Sequence, residues 1–310
     1  MVANPCYIGR ALGGFLTNED AMGIVKKICD IVPAALGSRL FGMVSDVELA
    51  APLQKRVNRA FVRLARVNAD EAAMPIDDYK SLNALFTREL KPDMRPLACD
   101  GDDCAVSPVD GRLSEVGCVA DGMLLDVKGR SFSAFELVGA EADSECEWLR
   151  NAYAMTIYLS PRDYHHIHAP VSGAVVAMNY APGRLLPVNR LGYALVDDLL
   201  PANERLTSFI EARNGQRVAV VKVGATCVGR ISVVYDDFKT NLTPRCEGFT
   251  RNVDPAFDVE AGAPLGCFEL GSTVVLLFEN DKKRFVPNPD LQVGQKIKLG
   301  SLLGHWEDKD

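Results

Sequence analysis

Phe268-Glu269-Leu270-Gly271-Ser272-Thr273-Val274-Val275-Leu276-Leu277-Phe278 carries strand-forming residues on both sides of a small Gly-Ser-Thr step. Such a run predicts two β-strands meeting where a hydroxyl stands beside a glycine carbonyl. Gly271 has no Cβ and tolerates strained dihedrals, which opens the carbonyl of the Gly271–Ser272 bond to the Ser272 hydroxyl. Gly-Ser-Thr by itself is more often a bulge or a turn than a reactive bond, so its reading depends on the rest of the chain.

Outward from this step the texture after Pro96 is one of short apolar runs divided by glycine: 112–119, 123–127, 153–159, 173–180, 217–223, 226–235, 264–269, 273–278 and 295–298. This spacing predicts a mostly antiparallel β domain over 96–310. Within it, Pro108-Val109-Asp110-Gly111-Arg112-Leu113 is echoed by Pro170-Val171-Ser172-Gly173-Ala174-Val175. Both are Pro-x-polar-Gly turns feeding a strand, which points to two related half-sheets. Residues 1–95 read as a helical segment, making the fold class α+β. From Pro52 to Val67, the residues Leu53, Val57, Ala60, Phe61, Leu64 and Val67 recur at helical spacing, with Lys55, Arg56, Arg59, Arg63 and Arg66 gathered opposite. A second helix is expected from Asp78 to Leu90, ended by Lys91-Pro92.

Composition narrows the function classes. The 310 residues are 48% hydrophobic, enough for a sizeable core. Nine cysteines without a C-x-x-C pair, and no N-terminal basic-then-apolar leader, suggest a reducing, cytosolic compartment and no structural zinc. Lys26, Lys27, Asp30 and Arg39 interrupt the apolar N-terminal stretch, so membrane contact is expected to be peripheral. Residues 1–68 hold nine Lys and Arg against five Asp and Glu, net +4, leaving −11 of the overall −7 for the remainder. The basic amphipathic helix therefore suits an anionic bilayer surface. Nucleic acid is not expected, because the whole chain is acidic and no aromatics alternate with the arginines.

Three of the four histidines crowd into Tyr158-Leu159-Ser160-Pro161-Arg162-Asp163-Tyr164-His165-His166-Ile167-His168. In extended backbone His166 and His168 share a face and His165 takes the other. Two chemistries compete for them. Asp110 with the His165/His166/His168 cluster could bind zinc in a hydrolase. Alternatively Ser272, a histidine and Asp110 match nucleophile, base and orienter.

Taken in order, the motifs resemble the pyruvoyl-dependent phosphatidylserine decarboxylases, made as self-cleaving proenzymes. They begin with Tyr79-Lys80-Ser81-Leu82-Asn83, Phe86-Thr87-Arg88-Glu89-Leu90 and Ser107-Pro108-Val109-Asp110-Gly111. Lys128-Gly129-Arg130-Ser131-Phe132-Ser133, the histidine stretch, Pro182-Gly183, Val188-Asn189 and Asn203-Glu204-Arg205 continue the set. Val223-Gly224-Ala225-Thr226-Cys227-Val228-Gly229 and Leu270-Gly271-Ser272-Thr273 complete it. The chain departs from the family before the cleavage step, reading Glu260-Ala261-Gly262-Ala263-Pro264-Leu265-Gly266 where a Lys-Gly and an acidic residue are usual.

The resemblance implies that His168, held in its tautomer by Asp110, takes the proton of Ser272 as its oxygen attacks Gly271. Ser272 would become a pyruvoyl group, a ketone that takes up the substrate amine and serves as electron sink. His165 would handle the substrate carboxylate or reprotonate Cα, and His166 would be structural. Chains of 271 and 39 residues would remain associated, and a homodimer is compatible with this. The implied substrate is phosphatidylserine, converted to phosphatidylethanolamine on the cytoplasmic face of the cell membrane.

Overall fold

The computed structural model describes residues 44–125, 131–140, 145–188, 196, 198–226, 230–241, 247–269 and 272–309, with the main chain alone for Leu125 and Ser272. Residues 1–43 of the expected N-terminal segment, and Leu270 and Gly271 of the Gly-Ser step, lie outside them. The chain enters through helix α1 (Ala51–Ala65) and a short α2 (Leu82–Phe86). Strands β1 (Cys104–Val106), β2 (Gly111–Cys118), β3 (Met123–Leu125) and β4 (Ser131–Ser133) follow, then α3 (Ala134–Val138). Next come β5 (Tyr153–Leu159), β6 (His166–His168), β7 (Gly173–Ala181), α4 (Leu199–Ala202), β8 (Arg205–Ala212) and β9 (Arg217–Val223). The chain closes with β10 (Arg230–Val233), β11 (Phe249–Val259), β12 (Pro264–Glu269), β13 (Ser272–Phe278), β14 (Lys283–Pro287), β15 (Lys296–Ile297) and β16 (Leu302–Asp308).

An eight-stranded antiparallel sheet, ordered β11-β7-β8-β9-β13-β5-β2-β15, is the backbone of the molecule. One face packs on the three-stranded sheets β1-β16-β14 and β10-β12-β6, the other under α3 and α4. Val274, Leu276 and Phe278 of β13 enter the first core, while Val275 and Leu277 enter the second. Burial on both faces explains why the run after Ser272 is unbroken rather than alternating.

The two half-sheets foreseen from the Pro-x-polar-Gly echo are present, and the repeat extends well beyond it. Cys104, Ala105 and Val106 of β1 pair with His305, Gly304 and Leu302. In the same pattern, His166, Ile167 and His168 of β6 pair with Cys267, Gly266 and Pro264, with a bulge at the same step. The halves interlock reciprocally: Val106 N donates to Pro170 O and His168 N to Pro108 O, both at 2.9 Å. Asp110 and Ser172 occupy matching places, accepting from Leu299 N and Ala261 N respectively. Gly300 (φ 83) and Gly262 (φ 78) follow those donors in the left-handed region that favours glycine. His168 corresponds to Val106, so only one half carries the histidine.

One helical expectation changes. The second helix covers Leu82–Phe86 rather than 78–90, because the Ser81 hydroxyl accepts from Ala84 N and starts it late. Beyond Phe86 the chain is drawn out, and Leu90 bridges to Ala72. On α1 the buried side chains are polar Gln54 and Asn58, with Asn58 Nδ2 reaching the carbonyls of Ile76 (3.0 Å) and Tyr79 (2.9 Å). Leu53 and Leu64 point outward, 50% and 84% exposed. Cys99 and Cys104 form a disulfide.

Candidate active site

Register brings the Gly-Ser step and the histidines side by side. Ser272, first residue of β13, pairs with Leu159 at the end of β5, while Phe268 N donates to His165 O at 3.0 Å. The two ends of the 159–165 turn are thus tied to Ser272 and to Phe268. Asp163 shapes that turn, its carboxylate accepting from Ser160 N (2.8 Å) and Oγ (2.6 Å).

His168 Nδ1 lies 2.7 Å from Gly262 O. A carbonyl can only accept, so Nδ1 carries the hydrogen and Nε2 of the neutral ring keeps its lone pair, as a general base requires. Nε2 is 3.4 Å from the Tyr164 hydroxyl, whose own hydrogen goes to Glu89 at 3.1 Å. Burial lowers the His168 pKa below its ordinary value, against the opposing effects of the Gly262 hydrogen bond and of Glu89 and Asp110. Asp110 therefore acts on this ring through its field. Its carboxylate is taken up by the Arg95 fork, with Nε to Oδ1 at 2.8 Å and Nη2 to Oδ2, and by Leu299 N at 2.9 Å. Arg95 also donates to Glu71 at 2.6 Å, and Glu71 accepts from Lys298 at 3.0 Å.

His165 is wholly buried, its Nδ1 donating to Asp163 O at 2.8 Å and its ring on Phe86, with centroids 4.0 Å apart. Burial pushes its pKa down to about 3, so the ring is neutral; its Nε2 has no partner among the described residues. His166 Nε2 donates to Thr87 O at 2.8 Å and its ring stacks on Tyr164.

Two motifs separate in sequence are thereby mated. Phe86 covers His165, the Thr87 carbonyl meets His166, Arg88 reaches the carbonyls of Arg162 and Asp163, and Glu89 meets Tyr164. Sequence reasoning assigned no role to Arg95, to Tyr164 or to the Gly262 carbonyl. The first two are single residues without a spacing signal, and a backbone acceptor leaves none. It also missed the knot at the end of β12, where Glu269 is held by Arg230 and by Asn83 Nδ2 (3.2 Å), two residues before Gly271. Asn203 and Arg205 are structural stitches instead: Asn203 Nδ2 donates to Leu186 O and Gly224 O, Arg205 to Leu137 O and Glu136 O. The zinc reading finds no support, because among the described residues no three His, Cys, Asp or Glu side chains converge as metal ligands. A cavity of about 850 Å³ between Trp148, Phe209 and Phe249 shares no residue with the histidine cluster.

A family model for phosphatidylserine decarboxylase matches residues 82–305, from the first residue of α2 into β16. The chain belongs to the phosphatidylserine decarboxylase family. It is 38% identical over 278 residues to the phosphatidylserine decarboxylase proenzyme of Myxococcus xanthus, covering 90% of this chain and 96% of that one. The Brevibacillus brevis proenzyme is 36% identical over 273 residues, 88% of this chain and 94% of the relative. The Shewanella loihica proenzyme is 39% identical over 256 residues, 81% and 88% of the two chains. The family match spans Asp110, the three histidines and Ser272 but leaves out α1.

Proposed function

We propose that this chain is a self-cleaving phosphatidylserine decarboxylase in which Ser272 becomes the pyruvoyl group. The carrying observation is the paired tie, Ser272 to Leu159 and Phe268 to His165, at the two ends of the histidine turn in a chain of this family. Ser272 Oγ attacks the Gly271 carbonyl carbon while its proton passes to His168 Nε2, the ring position left free by the Gly262 hydrogen bond. The C–N bond breaks, the amine takes a proton, and an ester joins Gly271 to Ser272. Elimination then frees the Gly271 carboxylate, and one water releases ammonia from residue 272 to leave the ketone. Once formed, that group supplies the electron sink for loss of CO₂ from phosphatidylserine.

The chain's own residues do the rest. Asp110 keeps a negative charge near His168 and favours the imidazolium formed during attack, with Arg95 setting how strongly. His165, buried and neutral with Nε2 free, is the group that meets the substrate carboxylate or returns a proton to Cα. A negative carboxylate beside it favours its protonated form.

We place the enzyme peripherally on the cytoplasmic face of the cell membrane. Leu53, Ala60 and Leu64 form an exposed apolar stripe on α1, with Arg56 and Arg63 on its flank, and Val44, Val47 and Leu49 are exposed just before it. Among the described residues, no helix is long and apolar enough to cross a membrane. The large and small chains stay associated, and a homodimer accords with this reading.

Mass spectrometry of the purified protein tests the proposal. It should show a 39-residue fragment, residues 272–310, with a blocked amino terminus, whereas Ser272→Ala should remain one folded chain. Intact chain alone in an active preparation would exclude the pyruvoyl route.

A further inference from the structure

Arg88 is buried, 3% exposed, and the self-cleavage chemistry makes no use of it. Its Nη2 donates to Arg162 O at 2.9 Å and to Asp163 O at 3.4 Å, while Nε and Nη1, equally buried, have no acceptor among the described residues. None of the ion pairs among the described residues includes it, although Arg95 nearby has two carboxylates. A guanidinium withdrawn from water without a counter-ion costs several kcal/mol. Fastening a turn through two carbonyls needs one donor nitrogen, not a charge with two nitrogens left over. His165 leans on the same Asp163 carbonyl, and its Nε2 is likewise buried and unpartnered. The two side chains that converge on this oxygen therefore both keep nitrogen atoms in reserve, and the only full charge between them is positive.

We propose that Arg88 is the anion-binding residue of the substrate site, its free Nε–H or Nη1–H donating to an oxygen of one anionic group of the phosphoserine headgroup. A guanidinium stays charged when buried and holds its N–H groups in fixed directions, which a lysine does not. The assignment rests on the decarboxylase reading. It gives the mating of Phe86–Glu89 with the histidine turn a function, because docking this segment delivers the counter-charge for a substrate anion beside His165. With the anion in place Arg88 is neutralised, and its repulsion of a protonated His165 is removed.

The test compares wild type, Arg88→Lys and Arg88→Met in detergent mixed micelles, after the 39-residue fragment has been scored by mass. KM for phosphatidylserine and Ki for phosphatidylethanolamine, which has the phosphodiester but no carboxylate, are measured on the cleaved fraction. Arg88→Met should raise KM about tenfold or more, with Arg88→Lys between it and wild type. A parallel rise in Ki identifies the phosphodiester as the bound anion; an unchanged Ki identifies the carboxylate. KM and Ki both within about twofold of wild type would overturn the assignment. Because Arg88→Met also loses the turn's hydrogen bonds, a second measurement uses the uncleaved Ser272→Ala chain with inorganic phosphate. Phosphate should raise its Tm but not that of Ser272→Ala/Arg88→Lys; equal shifts would also overturn the assignment. A wild type without fragment or decarboxylation would instead sink the decarboxylase reading, and the phosphate measurement would still judge Arg88.

Discussion

A histidine can take a proton from a serine only through a nitrogen that is unprotonated and free, and in His168 a carbonyl arranges this. The Gly262 hydrogen bond fixes Nδ1–H, and burial keeps the ring neutral further into the acid range than a free imidazole. The sign follows directly: the folded pKa lies below 6.5, so self-cleavage should be near its maximum at pH 7 and fall only as pH drops below that value. Asp110 pulls the other way and Arg95 tempers it. In Arg95→Gln the uncompensated carboxylate should move the acid limb of the cleavage rate upward by about half to one pH unit. A slower rate with an unmoved limb would show that Arg95 only holds the structure. His168→Ala should slow cleavage by about 10²- to 10⁴-fold, whereas His165→Ala should still yield fragment and then fail to decarboxylate. Normal cleavage and turnover by both variants would refute the division of roles. The histidines, Asp110 and Ser272 could be proposed from the sequence because reactive side chains leave letters in it. The acceptor on His168 was not, since any residue could supply that carbonyl, and Arg95 was hidden because ion-pair partners have no fixed spacing.

Among elements, β5, β9 and β12 have the expected bounds because apolar runs punctuated by glycine report burial directly. β11 was missed: its sequence is polar, it contains Pro255, and as the edge strand of the large sheet it exposes most of its side chains. The helical periodicity of 52–67 was real, but which stripe faced inward was not readable. Gln54 and Asn58 win the inner face because Asn58 satisfies two buried carbonyls of the 76–79 segment, which a leucine there would leave unpaired. The leucine stripe is consequently free for another apolar phase. Arg56→Glu with Arg63→Glu should weaken sedimentation with anionic liposomes by about 30-fold at low salt, at about 1 kcal/mol per basic residue removed. Leu53→Asp with Leu64→Asp should weaken it at all salt concentrations, and cleavage should proceed in both. Wild-type-like liposome binding by both double variants would make α1 an ordinary surface helix.

At the scale of the whole molecule, the proposed cut after Gly271 falls just before the strand that holds the large sheet together. Residues 272–310 supply β13 through β16: β13 lies between β5 and β9, β15 extends the sheet beyond β2, and β16 sits between β1 and β14. The small chain thus contributes two strands to each of two sheets and enters both cores, through Val274, Leu276 and Phe278 on one side and Val275 and Leu277 on the other. Removing it would strip neighbours from β5 and β9 along nearly their full length and take Phe278, Phe285 and Trp306 out of the first core. Fully burying each large apolar side chain contributes about 1.5–3 kcal/mol, so the interface of these chains is a domain core rather than a docking surface. The repeat sharpens this, since β16 is the counterpart of β12 and each half needs its middle strand. The cleaved protein should therefore run as one species on gel filtration without denaturant. It should unfold in a single transition in guanidinium, with loss of structure and release of the 39-residue chain coinciding. Release at a lower guanidinium concentration than the loss of β-structure would mean that the large chain keeps its sheets without β13, against the topology seen here.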